Sequence, residues 1–125
     1  MENNKKILVV DDEAHIRRVL KVKLKNRGYQ VLMAKNGQEG IDIIKEHQPD
    51  IVITDINMPI IDGKTLVEKT NGLKKDRSFL TIIITARINP EERDWIDNMQ
   101  DTLFMEKPFS PARIVETVEQ YIGDH

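Results

Sequence analysis

The chain has 125 residues, 39% of them hydrophobic, which is enough for one compact domain with a single core over about residues 5–122 and too little for two. Nineteen Lys+Arg against twenty-one Asp+Glu leave a formal charge of −2, so bulk charge gives no reason to expect nucleic acid as a partner, and the lack of cysteine excludes disulfides and thiolate metal sites. No apolar run approaches the roughly 20 residues of a membrane span, and MENNKK leads into Ile7 without the apolar stretch of a signal peptide, so a cytoplasmic protein without membrane contact is expected.

The first apolar segment, Ile7 to Val10, is short and rich in β-branched residues and is followed at once by Asp11, Asp12 and Glu13. Residues 13 to 27 then read as a helix on Ile16, Val19, Leu20 and Leu24, stopped by Gly28. Gln30 to Ala34 is less purely apolar and fits an edge strand. Asn36 with Glu39 forms a capping box opening a helix through about Glu46. Ile51 to Ile53 is a third strand, closed by Asp55, and the helix after Asp62-Gly63 carries Leu66, Val67 and Leu73 but is cut short by Asn71-Gly72. Thr81 to Ile84 is a fourth strand ending at Thr85, and Asn89-Pro90 with Glu91 and Glu92 opens the next helix. Leu103 to Met105 is the fifth strand, leading to Lys107, and Ser110-Pro111 starts a last helix on Ile114, Val118 and Ile122.

Strand and helix thus alternate five times, and continuously apolar strands are those covered on both faces. Right-handed crossovers make this a (βα)5 three-layer doubly wound parallel sheet, with its ligand site beyond the carboxyl ends of the strands. Asp11, Asp12, Glu13, Asp55, Thr85 and Lys107 all fall on that edge. Carboxylates there cannot be buried unpaired without heavy cost, so they call for a cation, and an all-oxygen set suits Mg2+. Thr85 and Lys107 add a hydroxyl and an ammonium able to hold the oxygens of an anion, and Asp55, on a central strand, is the candidate nucleophile for a phosphoryl group.

Four motifs in this order, Ile7-Leu8-Val9-Val10-Asp11-Asp12-Glu13, Asp55-Ile56-Asn57-Met58-Pro59 with Asp62-Gly63, Ile84-Thr85-Ala86, and Lys107-Pro108-Phe109, resemble the receiver domain of two-component response regulators along essentially the whole chain. The resemblance implies a flavodoxin-like fold with strand order 2-1-3-4-5. It implies Asp55 as phosphoacceptor, Mg2+ held by Asp12, the Asp55 carboxylate and the Asn57 carbonyl with Asp11 acting through water, and Lys107 pairing with the acylphosphate ahead of a cis bond to Pro108. It further implies a sensor histidine kinase or histidine phosphotransfer protein as donor, and a switch in which Thr85 and Phe104 move together and reshape the surface of the fourth helix, fifth strand and fifth helix. A protein of this kind is a signalling phosphoacceptor that catalyses only its own phosphorylation and dephosphorylation, as a monomer or weak phosphorylation-dependent dimer.

The alternatives are weaker. A flavodoxin-type electron carrier would need a phosphate-binding loop where Asp11-Asp12-Glu13 would repel phosphate, and an aspartate-dependent phosphatase would need an acid where Asn57 stands. A pseudo-receiver that is never phosphorylated sits badly with intact Asp11, Asp12, Asp55, Thr85 and Lys107. A complete chain would have no output domain and would signal by binding a partner or by relay, whereas a receiver excised from a larger DNA-binding or enzymatic regulator would leave its output elsewhere. Met99-Gln100-Asp101-Thr102-Leu103 departs from the Gly-Ala common in the family before the fifth strand.

His15, His47 and His125 have no partner at ligand spacing, and Trp95 fits a half-buried helix residue. Arg17, Arg18, Lys21, Lys23, Lys25 and Arg27 give the first helix a basic character, read as a solvated face, the alternative being a dock for an acidic surface of the phosphodonor. Arg87, two residues after Thr85, is a cation at the rim of the site and is expected to control how water reaches an acylphosphate. Arg87→Ala should therefore change the autodephosphorylation rate; a rate equal to the parent's, measured after removal of the phosphodonor, refutes that role.

Overall fold

The computed structural model describes residues 5–56, 63–72, 79–85, 90–99, 101–107 and 110–124. The elements alternate as β1 (Lys6–Val10), α1 (Ala14–Lys25), β2 (Gln30–Ala34), α2 (Gly37–His47), β3 (Ile51–Asp55), α3 (Gly63–Asn71), β4 (Leu80–Thr85), α4 (Pro90–Asp97), β5 (Thr102–Glu106) and α5 (Pro111–Asp124). All strand pairs are parallel, in the order β2-β1-β3-β4-β5, so the expected flavodoxin-like (βα)5 sheet is what forms. None of the described helices is long and apolar enough to cross a membrane.

Side chains alternate across a strand, and here the alternation builds two cores. Ile7, Val9, Ile51, Ile53, Ile82 and Ile84 face Ile16, Leu20 and Leu24 of α1 and Ile114, Val115 and Val118 of α5. Leu8, Val10, Val52 and Ile83 face Ile41 and Ile44 of α2, Leu66 and Val67 of α3, and Ile96 of α4. β1, β3 and β4 are therefore apolar at nearly every position because each residue meets one helical layer or the other.

The helix boundaries follow local chemistry. The Asn36 side chain accepts the Glu39 N–H at 2.9 Å while Glu39 Oε1 accepts the Lys35 N–H at 3.1 Å, an N-terminal lock for α2 close to the expected capping box. Ser110 Oγ accepts the Arg113 N–H at 3.4 Å at the start of α5. After α1 the chain turns through Gly28, whose φ of 90° is left-handed and suits glycine. α3 ends at Asn71, as the Asn71-Gly72 pair predicts.

Two expectations fail at the periphery. Val19 lies outside the buried stripe of α1 and is 40% exposed, because a helix covering one sheet face buries only Ile16, Leu20 and Leu24. β5 is not covered on both faces: as the sheet edge it leaves Leu103 44% exposed. Asp62, Leu73, Asn89 and His125 fall outside the described residues, while Trp95 is half-buried as expected, with Lys64 Nζ 5.6 Å from its ring centroid.

α2 approaches the sheet closely at Gly40. A Cβ there would stand 2.9 Å from Leu66 Cδ1 and 3.0 Å from Val10 Cγ2, both in the core below the site. Gly40→Val should lower stability by about 1–3 kcal/mol, read as an earlier midpoint in urea; a midpoint equal to the parent's would show that α2 can shift freely.

Candidate functional site

Parallel register fixes the site before any side chain is considered. Val10 pairs with Thr54, so Asp11 and Asp55 stand one residue beyond a matched pair on neighbouring strands. Asp55 pairs with Ile84 and Thr85 with Glu106, which sets Thr85 and Lys107 one step further along the same edge. The Lys107 N–H donates to the Thr85 carbonyl at 2.6 Å, prolonging the β4–β5 ladder to the lysine itself.

One carboxylate oxygen each from Asp11, Asp12, Glu13 and Asp55 lies within 4.8 Å of the others. Asp11 and Asp55 are buried, at 2% and 5% exposure, whereas Asp12 and Glu13 are exposed. Lys107 Nζ donates to Asp55 Oδ2 at 3.0 Å and lies 3.7 Å from Glu13 Oε1, so one ammonium serves two of the four acids. Thr85 is fully buried, with its carbonyl bound to the Lys107 N–H.

Asp11 is held at three points. Its N–H donates to the Ala34 carbonyl at 3.1 Å, its Oδ1 accepts the Glu13 N–H at 2.9 Å, and its carbonyl accepts from Arg17 Nη1 at 2.6 Å. Burial pushes its carboxyl above the ordinary aspartate value; the Glu13 N–H pulls the other way, and the neighbouring Asp55 charge adds to the rise. For Lys107 burial alone opposes the charge, but the hydrogen bond it donates to Asp55 and the charges of Asp55, Asp11 and Glu13 outweigh it, so the ammonium titrates above ordinary lysine. The donor set consists of hard oxygens crowded against their own repulsion, the chemistry that a small divalent cation such as Mg2+ satisfies.

The residues expected at this edge therefore meet: Asp11, Asp12, Asp55, Thr85 and Lys107. Phe104 is on the other side of the sheet from the lysine but on the same side as Thr85, half-buried against the α2–α4 core, and its ring lies 5.0 Å from the Arg93 guanidinium carbon. Asn57, Arg87 and Pro108, with its expected cis bond, lie outside the described residues.

Glu13, expected on this edge as one more acid, pairs with Lys107. Two residues join that sequence reading left aside: Arg17 leaves the solvated face to hold Asp11, and Arg93 covers Phe104. Only Arg17 had a visible signal, as a cation one turn past an acidic loop.

Residues 7–119 match the family model described as the response regulator receiver domain. A probable transcriptional regulator, ycf27 of Porphyra purpurea, is 39% identical over 117 residues, covering 91% of the chain and 46% of the relative. The chain thus spans about half the length of such relatives. The polar-differentiation response regulator DivK of Brucella anthropi is 29% identical over 96% of the chain and 98% of its own length. Among solved structures, a CheY-like receiver domain protein from Methanospirillum hungatei matches with a TM-score of 0.89 at 26% identity, over 98% of this chain and 96% of that one. Chemotaxis protein CheY4 of Vibrio cholerae gives 0.84 at 26% identity, over 94% and 98%.

The raised Asp11 carboxyl has a thermodynamic consequence. Between the unfolded and the higher folded pKa the native state holds more protons, so this group's contribution to stability falls as pH rises through that window and stays lost above it. Asp11→Asn, which keeps the acceptor for the Glu13 N–H, should raise the melting temperature at neutral pH in chelator and flatten the loss on going up from pH 4; a lower melting temperature would contradict the crowding of these acids.

Proposed function

The chain belongs to the response regulator receiver domain family, and from that premise we propose that Asp55 accepts a phosphoryl group in a Mg2+-dependent transfer from a sensor histidine kinase or histidine phosphotransfer protein. The observation that carries the reading is the Lys107 ammonium 3.0 Å from a buried Asp55 carboxylate, inside a cluster of four acids. Such a pair supplies a nucleophile and a cation placed to meet the charge that arrives with it.

Asp11, Asp12 and Asp55 would hold the ion, with the Asn57 carbonyl as the ligand the family resemblance adds. When bound, Mg2+ neutralises charge on the phosphoryl oxygens. The chain's own residues do the rest. A carboxylate oxygen of Asp55 attacks phosphorus; the P–N bond to the donor histidine breaks as the P–O bond forms, and the imidazole nitrogen keeps the electron pair and takes up a proton. Lys107 turns from the Asp55 carboxylate to a phosphoryl oxygen, and the Thr85 hydroxyl donates to another. Attack of water on phosphorus later returns free Asp55 and phosphate. The protein acts on itself in this way and is a cytoplasmic phosphoacceptor, not an enzyme for a separate substrate.

The output follows from packing. Phe104 pairs with Ile83, so it shares a face with Thr85 and sits diagonally behind it. Movement of Thr85 toward the phosphoryl oxygen opens room for the ring, and the surface of α4, β5 and α5 shifts between two packings. Phe104 has no hydroxyl, so its inward position needs no hydrogen-bond partner.

Incubation with Mg2+ and acetyl phosphate should give an acid-stable, base-labile modification, lost in Asp55→Asn and lost on chelation. No such modification of the parent protein, or its persistence in Asp55→Asn, would falsify the assignment.

A further inference from the structure

The structure assigns Arg17 as the positioning residue of the acidic loop: by holding the Asp11 carbonyl, it aims the Asp11 and Asp12 carboxylates at the place of the cation. The inference deepens the Mg2+ reading above and rests on it.

Arg17 lies on α1, one turn past the loop, and is partly buried. Its guanidinium reaches back six residues, and Nη1 donates to the Asp11 carbonyl at 2.6 Å. That carbonyl belongs to the peptide that leads into Asp12, where the chain bends. The Asp11 N–H is committed to β2 and its Oδ1 to the Glu13 N–H, so the carbonyl is where a contact can fix the rotation of the peptide leading into Asp12. A charged donor makes a stronger hydrogen bond than a neutral one. Groups that orient ligands in this way commonly matter to metal affinity as much as some ligands do.

The sign of the effect separates this role from plain electrostatics. A guanidinium beside a divalent cation repels it. If Arg17 acted only through its charge, removing it would tighten Mg2+ binding. If it positions the loop, removal loosens binding although a repulsive charge has gone.

Arg17→Met keeps the length of the stem and suits a helix, while deleting both charge and donor. Titration of the isotope-labelled full chain with magnesium chloride alone, followed by the amide shifts of Glu13, should give a Kd raised at least about tenfold in this variant. Arg17→Lys, which retains a cationic donor, should recover part of the loss. The melting temperature of Arg17→Met in chelator should stay near the parent's. With acetyl phosphate, its phosphorylation rate should reach the parent's ceiling at saturating Mg2+, with only the half-saturating concentration moved; a role in folding alone would lower the ceiling instead. Mg2+ binding by Arg17→Met as tight as or tighter than the parent's, or no recovery in Arg17→Lys, overturns the assignment. Failure of the parent to bind Mg2+ is a different result: it removes the metal reading, and this inference with it.

Discussion

Everything at the functional edge depends on holding like charges together. Four carboxylate oxygens within 4.8 Å would drive the β1–α1 loop away from β3 if the chain were free to move. Among the described residues, what opposes them is the register of a sheet whose central strands are buried on both faces, together with the ammonium of Lys107. The repulsion is confined to the ends of strands that the two cores already hold in place. That crowding of negative charge is what a divalent cation such as Mg2+ would neutralise.

The two cores also divide the labour. Residues continuing the alternation toward α1 and α5 include Asp11 and Asp55, which face the chemistry. Those of the opposite parity, Ile83, Thr85 and Phe104, lie toward α3 and α4. One strand edge therefore presents carboxylates on one side and the packed ring of Phe104 on the other, and between them the Thr85 carbonyl is tied to the Lys107 N–H, the arrangement on which the proposed coupling rests.

Much of this was legible in the sequence because it depends on periodicity and on where apolar runs stop. Five strands, five helices, the Asn36 cap, and the meeting of Asp11, Asp55, Thr85 and Lys107 all follow from that. The misses share a cause: periodicity describes the Cα–Cβ direction and not the reach of a long side chain. Arg17 looked like its basic neighbours, yet its partner is a backbone atom six residues back. Glu13 looked like a third acid in a row and is an ion-pair partner of a residue at the far end of the sheet. Arg93 reaches the Phe104 ring from α4, and the edge position of β5 leaves Leu103 exposed, a property the apolar run concealed.

The bond from Lys107 to the Thr85 carbonyl has a further meaning for how such a chain can change over generations. It makes the segment from Thr102 to Lys107 a ruler with two marks, one lying on each side of the sheet, an odd number of residues apart. Substitutions along it alter only what is presented, but a single inserted or deleted codon between Phe104 and Lys107 would invert one mark relative to the other. Either the lysine would leave the acids or the ring would leave its pocket. Length in this segment is therefore under tighter constraint than identity, and variation there is expected as exchange of side chains at a fixed count.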